Sequence, residues 1–304
     1  MLEARAFEPD FLRRLDRLVL GVRRARTVRA GQRTIGRVQG LGIEPENFKE
    51  YAEGDDLRFL DWNAFARLDD LLIRTYRAER QVEITVMLDA SASMALPERD
   101  DKFGLARALA ATFAYIGMAE NDAVRIVSFG SGGSQRDGMK LQTTPFYRRR
   151  EQYSAFKPLL SDLRCAGQTR LAAAVGELLL QRRPAGVVIL ISDFLVNQTD
   201  FEEAMLHLLG TRQEVKLVHV MGEMESEGSY PPGLYRVRDS ESGELREVAF
   251  GPELAAGCRT RVAALSERLH DFCVSHAIIY AQAFGAGHLD AILERELPVM
   301  GVIR

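Results

Sequence analysis

Several things this chain lacks narrow it first. No apolar run approaches the roughly 18 to 20 residues that a membrane-crossing helix needs, and the N-terminus carries no short apolar core followed by a cleavage site. Both absences lead us to expect a soluble, cytoplasmic protein without a transmembrane segment. Cysteine is scarce: Cys165, Cys258 and Cys273 are odd in number and scattered, without the paired spacing of a zinc site or a secreted disulfide framework. They suit a reducing compartment, where the sequon Asn197-Gln198-Thr199 is idle. Excess charge is missing too. The 40 Lys and Arg against 43 Asp and Glu leave a formal charge of −3 and a pI near 6.0, so bulk charge draws the chain neither to nucleic acid nor to acidic lipid. The 46% hydrophobic content is ordinary, and 304 residues suffice for one large α/β domain or for one with a smaller unit.

Catalytic signatures are equally sparse. Gly130-Ser131-Gly132-Gly133-Ser134 lacks the Gly-Lys-Ser/Thr ending of a P-loop and reads as a turn, with Gln135 to Lys140 as a hairpin tip. Gly40 and Gly42 neither follow a clear strand nor lead to a third glycine opening a helix, which discounts a dinucleotide loop. No Gly-x-Ser-x-Gly elbow is present. His207, His219, His270, His276 and His288 each sit alone in a predicted element, which suits core or surface residues better than a catalytic base.

What is present centres on Val82 to Met94. Val82, Ile84, Val86 and Leu88 alternate with Glu83, Thr85 and Met87 at the period of a strand, and the run ends in an acid, Asp89. Ser91 and Ser93 follow at alternate positions, where a short loop can turn both hydroxyls to one point. Asp and Ser after a strand are also common loop and cap residues. As a cluster they offer only oxygen, which hard cations such as Mg²⁺ prefer.

Before this strand, Phe11, Leu12, Leu15, Leu18, Val19 and Val22 predict a basic amphipathic helix from Pro9 to about Val28. It is read as packing its leucines on the protein and solvating its arginines, because aromatics are not interleaved with the arginines. Residues 29 to 70 are glycine-rich and charged. There Asp55, Asp56, Arg58, Asp61 and Arg67 surround Trp62, the only tryptophan, and suggest a partly buried ion-pair mesh that is structural or a docking surface rather than a catalytic carboxylate cluster. Leu71 to Tyr76 reads as a short strand feeding the central one.

After Met94, strands and helices alternate. A helix around Phe103 to Ile116 is entered through a charged loop, 98 to 102, and precedes a strand from Ala123 to Phe129. Tyr147 to Leu163 is predicted helical, with Arg148, Arg149 and Arg150 on its first turn, where the helix dipole disfavours cations. Thr169, in a glycine-containing loop, is a natural N-cap for a helix from Leu171 to Gln181. Val187 to Ile191 is apolar on both faces, as a central parallel strand is, and runs into Ser192-Asp193. A helix (200 to 210), a strand (215 to 220), a loop (222 to 233), a hairpin across 240 to 243, a long helix (252 to 275), a strand (277 to 281) and a short helix from His288 complete the chain. This order argues for a doubly wound, mostly parallel sheet, in which ligands bind beyond the carboxyl ends of the strands near the switch in strand order. Two acids, Asp89 and Asp193, and three hydroxyls, Ser91, Ser93 and Thr169, would converge there.

These five positions resemble the metal-ion-dependent adhesion site of von Willebrand factor A domains. The upstream motifs narrow the resemblance. Gly40-x-Gly42-x-Glu44, Tyr51-x-x-Gly54-Asp55-Asp56-x-Arg58 and Asp61-Trp62-Asn63-x-x-Ala66-Arg67, followed by the Asp89 motif, are similar to the bacterial family called domain of unknown function 58. Pro45 and Lys49 depart from its usual phenylalanine and arginine, which bears only on that loop. The resemblance implies a Rossmann-like, von Willebrand factor A-like domain over residues 81–304, with a hairpin insertion at about 222–250, behind an N-terminal helical and irregular or β extension over 1–80. It implies Mg²⁺ or Mn²⁺ held by Ser91 and Ser93 directly, by Thr169 directly or through water, and by Asp89 and Asp193 mostly through water. An Asp or Glu carboxylate of a protein partner would fill the open coordination position. It further implies a non-enzymatic adaptor or co-chaperone working with a MoxR-type AAA+ ATPase. The competing class is a Mg²⁺-dependent phosphatase or a hydrolase with Ser91 as nucleophile. A haloacid-dehalogenase-type enzyme needs a second acid two residues after Asp89, where this chain has Ser91.

Overall fold

The computed structural model describes residues 2–18, 20, 47–52, 60–68, 70–75, 82–130, 141–181, 184–228, 230–238, 244–285, 289–299 and 301–303. The chain divides into two compact units, Met1–Arg24 together with Gln81–Arg304, and Ala25–Arg80. The N-terminal segment is thus part of the larger unit. It forms α1 (Leu2–Arg5) and α2 (Pro9–Leu15). The helix predicted to reach Val28 stops at Leu15. Leu20 instead makes an antiparallel bridge to Ile303 and is buried, because an extended backbone there puts its side chain in the core. Arg14 reaches Glu294 and Asp290, so it serves its own chain.

In the smaller unit, β1 (Asn47–Glu50) pairs antiparallel with β2 (Leu72–Thr75), with α3 (Trp62–Leu68) between them in sequence. The short strand expected over 71–76 is thus present at 72–75, with β1 as its antiparallel partner. Asp61 is buried and accepts the N–H groups of Asn63 and Ala64, capping α3. Trp62 is 64% exposed, edge-on to Phe65. Arg67 is exposed, and Asp55, Asp56, Arg58 and the Gly40/Gly42 pair lie outside the described residues.

The larger unit is built on β3 (Glu83–Asp89). It continues through α4 (Lys102–Ala119), β4 (Ala123–Phe129), β5 (Gln142–Thr143), a 3₁₀ helix (Arg150–Phe156), α5 (Lys157–Asp162), α6 (Leu171–Leu179) and β6 (Val187–Ser192). Then come α7 (Gln198–Gly210), β7 (Glu214–Met221), α8 (Glu223–Glu227), the hairpin β8 (Gly233–Arg238) and β9 (Leu245–Phe250), α9 (Pro252–Ser275) and β10 (Ile279–Phe284). A C-terminal turn closes the chain with α10 (Leu289–Ala291), a π-helix (Ile292–Glu296) and α11 (Leu297–Val299).

The six-stranded sheet has the order β10-β7-β6-β3-β4-β5, parallel except for β5 at one edge. The chain leaves β3 for β4 on one side, then crosses to β6, β7 and β10 on the other. The topological switch therefore lies between β3 and β6, where ligands of doubly wound folds bind. Although β3 alternates in sequence, it is buried on both faces, because helices cover both sides of a parallel sheet. On one face lies α4, buried almost all round, as a helix apolar on every side must be. On the other, Met87, Leu190 and Leu217 pack with Leu171, Val175, Met205, Leu208 and Leu269.

Two predicted elements change form. The helix expected over 147–163 is the 3₁₀ helix followed by α5, because Tyr147 is held by an antiparallel bridge to Val124. Arg150 pairs with Asp16 at 3.1 Å and lies over the Tyr115 ring, so it too is used internally. Within the loop expected over 222–233, residues 223–227 form α8. The glycine-rich turn after Gly130, with its hairpin tip, lies outside the described residues.

Candidate metal centre

Parallel pairing fixes two acids side by side. Leu88 stands opposite Ile191 in the β3–β6 register, so Asp89 and Ser192 leave the sheet as neighbours, with Asp193 next. Asp89 is fully buried. Its Oδ1 accepts the Ser91 N–H at 2.8 Å and its Oδ2 accepts the Ser192 hydroxyl at 2.6 Å. The first bond is an Asx turn, and it folds the loop back so that Ser91 Oγ and Ser93 Oγ lie 3.0 Å apart. Ser91 and Ser93 are themselves buried. Gly130, at φ +92°, passes so close that a Cβ there would sit 2.7 Å from the Ser91 nitrogen, so only glycine lets β4 end against this loop.

The Thr169 loop is stitched to the same place. Ala166 donates its N–H to Ala90 O at 2.9 Å, and Ala92 donates to Gly167 O at 3.0 Å. Thr169 Oγ1 is shielded from solvent. Thr169 does not cap α6: the Asp200 carboxylate, from α7, accepts the N–H groups of Leu171 at 2.7 Å and Ala172 at 3.3 Å. Asp193 is buried, with Oδ1 accepting the Leu195 N–H at 3.2 Å. Its Oδ2 lies 3.1 Å from Lys102 Nζ, and that ammonium is also 2.9 Å from Glu225 Oε2.

Burial and the nearby Asp193 carboxylate push the Asp89 pKa up from the usual carboxylate range to about 7. Burial on its own would lower the Lys102 pKa, but Asp193 and Glu225 outweigh it and the net displacement is upward. The Lys102 ammonium is thus shared by Asp193 inside the crevice and Glu225 at its edge. Among the described residues, no three His, Cys, Asp or Glu side chains gather as a metal-binding group. The donors here are instead two carboxylates with hydroxyls, an oxygen set that fits a small hard cation. Beside Ser93 the crevice opens into a cavity of about 520 Å³, lined by Leu96, Pro97, Glu98, Leu195, Glu225 and Tyr230.

His219, on β7, is buried and contacts Tyr280 OH through Nδ1 at 2.8 Å; burial lowers its pKa to about 4 and keeps it neutral. Sequence reasoning missed Lys102, Ser192, Asp200 and Glu225. For Lys102 a signal existed. A lysine at the first position of a mostly apolar helix opposes the helix dipole, an arrangement that a nearby acid offsets.

The family described as protein of unknown function DUF58 matches residues 47–267, well over half of the chain. Two uncharacterized proteins, Rv1480 of Mycobacterium tuberculosis and Mb1516 of Mycobacterium bovis, are each 28% identical over 229 residues, covering 72% of this chain and 68% of their own length. Among solved structures, the conserved hypothetical protein BatB of Bacteroides thetaiotaomicron is 15% identical, with a TM-score of 0.42 over 72% of this chain and 98% of its own. A von Willebrand factor type A protein of Catenulispora acidiphila is 17% identical, with a TM-score of 0.31 over 48% of this chain and 34% of its own. At those scores neither likeness carries weight, and the α/β topology rests on the strand order itself. No helix among the described residues is long and apolar enough to cross a membrane. By the span of the family match, the chain belongs to the DUF58 family.

Proposed function

We propose that this chain is a non-enzymatic protein-interaction module whose crevice at the β3–β6 switch holds Mg²⁺ or Mn²⁺. The observation that carries this reading is that buried Asp89, bonded to the Ser91 nitrogen and to Ser192, leaves the sheet beside buried Asp193, with Ser91 and Ser93 hydroxyls 3.0 Å apart and the Thr169 loop bonded alongside. When bound, the cation supplies an open coordination position that an Asp or Glu of another protein completes. The chain's own part is to hold its oxygens in place. Asp89 is fixed through both oxygens, Asp193 through Leu195 N–H, and the two serines by the Asx turn. By the family resemblance, the first candidate partner is a MoxR-type AAA+ ATPase, with this chain as its adaptor or co-chaperone in the cytoplasm.

Nothing specific favours hydrolysis in the same crevice. Ser91 Oγ has Ser93 Oγ as its near neighbour, and His219 is neutral and engaged by Tyr280. The test is affinity capture of the candidate ATPase by the full chain, in Mg²⁺ and in excess EDTA. We expect capture in Mg²⁺ and its loss in EDTA; equal capture in both puts the interface elsewhere, and metal-dependent turnover of generic phosphoesters by the purified chain supports the enzyme reading instead.

A further inference from the structure

Lys102 has a role that the cation reading alone leaves unassigned. Its side chain is 0% exposed at the start of α4, and its ammonium lies between one acid of the crevice and one acid outside it. The inner acid, Asp193, ends β6. The outer one, Glu225, belongs to α8, is 21% exposed and lines the open cavity beside Ser93. The segment before α4 is fastened to the same short helix, since Asp100, itself buried, accepts the Met224 N–H at 3.0 Å.

We infer that Lys102 is a built-in counter-cation that competes with the divalent ion for Asp193, and that Glu225 sets the strength of this competition by sharing the ammonium. The inference rests on the proposed cation reading and assigns the residue that regulates it. The physical reason is the low dielectric of the site. A positive charge about 3 Å from a coordinating carboxylate opposes a second cation there far more than it would in water. Orientation does not depend on Lys102 alone, because Asp193 keeps its bond from Leu195 N–H and Asp89 keeps both of its own. Lys102 is therefore a positioning and charge-balancing residue and not a ligand. Because Glu225 faces the cavity, a partner residue that engages its carboxylate would move the ammonium's charge back towards Asp193 and loosen the metal.

The test is titration of the full-length wild type, Lys102→Met and Glu225→Gln with Mg²⁺ alone by isothermal calorimetry. We expect Lys102→Met to tighten Mg²⁺ binding by roughly tenfold or more, and Glu225→Gln to weaken it several-fold because the whole ammonium charge then falls on Asp193. Removing either charge shifts Mg²⁺ affinity in these directions by Coulomb forces alone, so the sharing is read from the double variant: Glu225→Gln weakens binding less in the Lys102→Met background than in wild type, and equal, additive effects overturn the sharing. Wild type that binds Mg²⁺ while Lys102→Met binds no better overturns the competition. If Lys102→Met does not fold, Glu225→Gln, changed at a partly exposed site, decides by itself: unchanged or tighter binding overturns the inference. If neither wild type nor any folded variant binds, the cation reading falls and takes this inference with it.

Discussion

At Asp89 two requirements oppose each other. A carboxylate that is to help hold a cation must be ionised, yet this one is buried beside a second carboxylate, and its pKa is raised to about 7. The folded state therefore binds the Asp89 proton more tightly than the unfolded chain does. Its contribution to stability is complete below the ordinary carboxylate pKa of about 3.8 and is lost as the pH rises through about 7. His219 acts in the opposite sense. Its lowered pKa means that stability is complete above its ordinary value of about 6.5 and falls as the pH drops towards about 4. The difference between wild type and Asp89→Asn, in which His219 cancels, is thus the quantity to read. We expect metal-free Asp89→Asn to melt higher than wild type at pH 8, with the gap closing towards pH 5 in differential scanning calorimetry. Parallel curves would remove the buried-charge account. The acid and the hydroxyls were legible in the sequence as a strand-end triplet. The pairing of the buried cation was not: Lys102 carried a signal of its own, but its second acid, Glu225, is 123 positions away and meets it only through the packing of α4 and α8.

At the scale of elements, the strand, loop and helix order identified the doubly wound sheet, and β3, β4, β6, α4 and α9 fall close to where hydrophobic periodicity places them. Where periodicity failed, a tertiary bond had overridden it. The Leu20 bridge to Ile303 cuts short the first predicted helix, and the Tyr147 bridge to Val124 delays another. The strand order itself was not legible, since which strands become neighbours is decided by long-range pairing. That order brings Asp89 beside Ser192, and it brings the end of β4 against the serine loop. Gly130→Ala tests this arrangement. Its φ of +92° and the 2.7 Å approach to the Ser91 nitrogen leave no room for a methyl group. We expect a destabilisation of more than about 1 kcal/mol by urea denaturation, together with weaker Mg²⁺ binding from the displaced serine loop. Wild-type affinity in this variant would mean that the loop's position does not govern the site.

At the largest scale, the α/β sheet of the larger unit presents the crevice beside a cavity rimmed by Leu96, Leu195 and Tyr230, each partly exposed. Exposed apolar residues around a polar centre suit recognition of another protein. The central claim, a divalent cation on the Asp89 loop, does not require the partner to be known. A ligand that binds only the folded state stabilises it by RT ln(1 + [L]/Kd), so the melting temperature keeps rising with ligand concentration. The most direct measurement is therefore the melting temperature of the purified full chain at pH 8 across a Mg²⁺ titration, for wild type and for Asp89→Ala. The account expects a rise in wild type that grows with Mg²⁺ concentration and is absent in Asp89→Ala. An equal rise in both, or none in wild type at millimolar Mg²⁺, would contradict it.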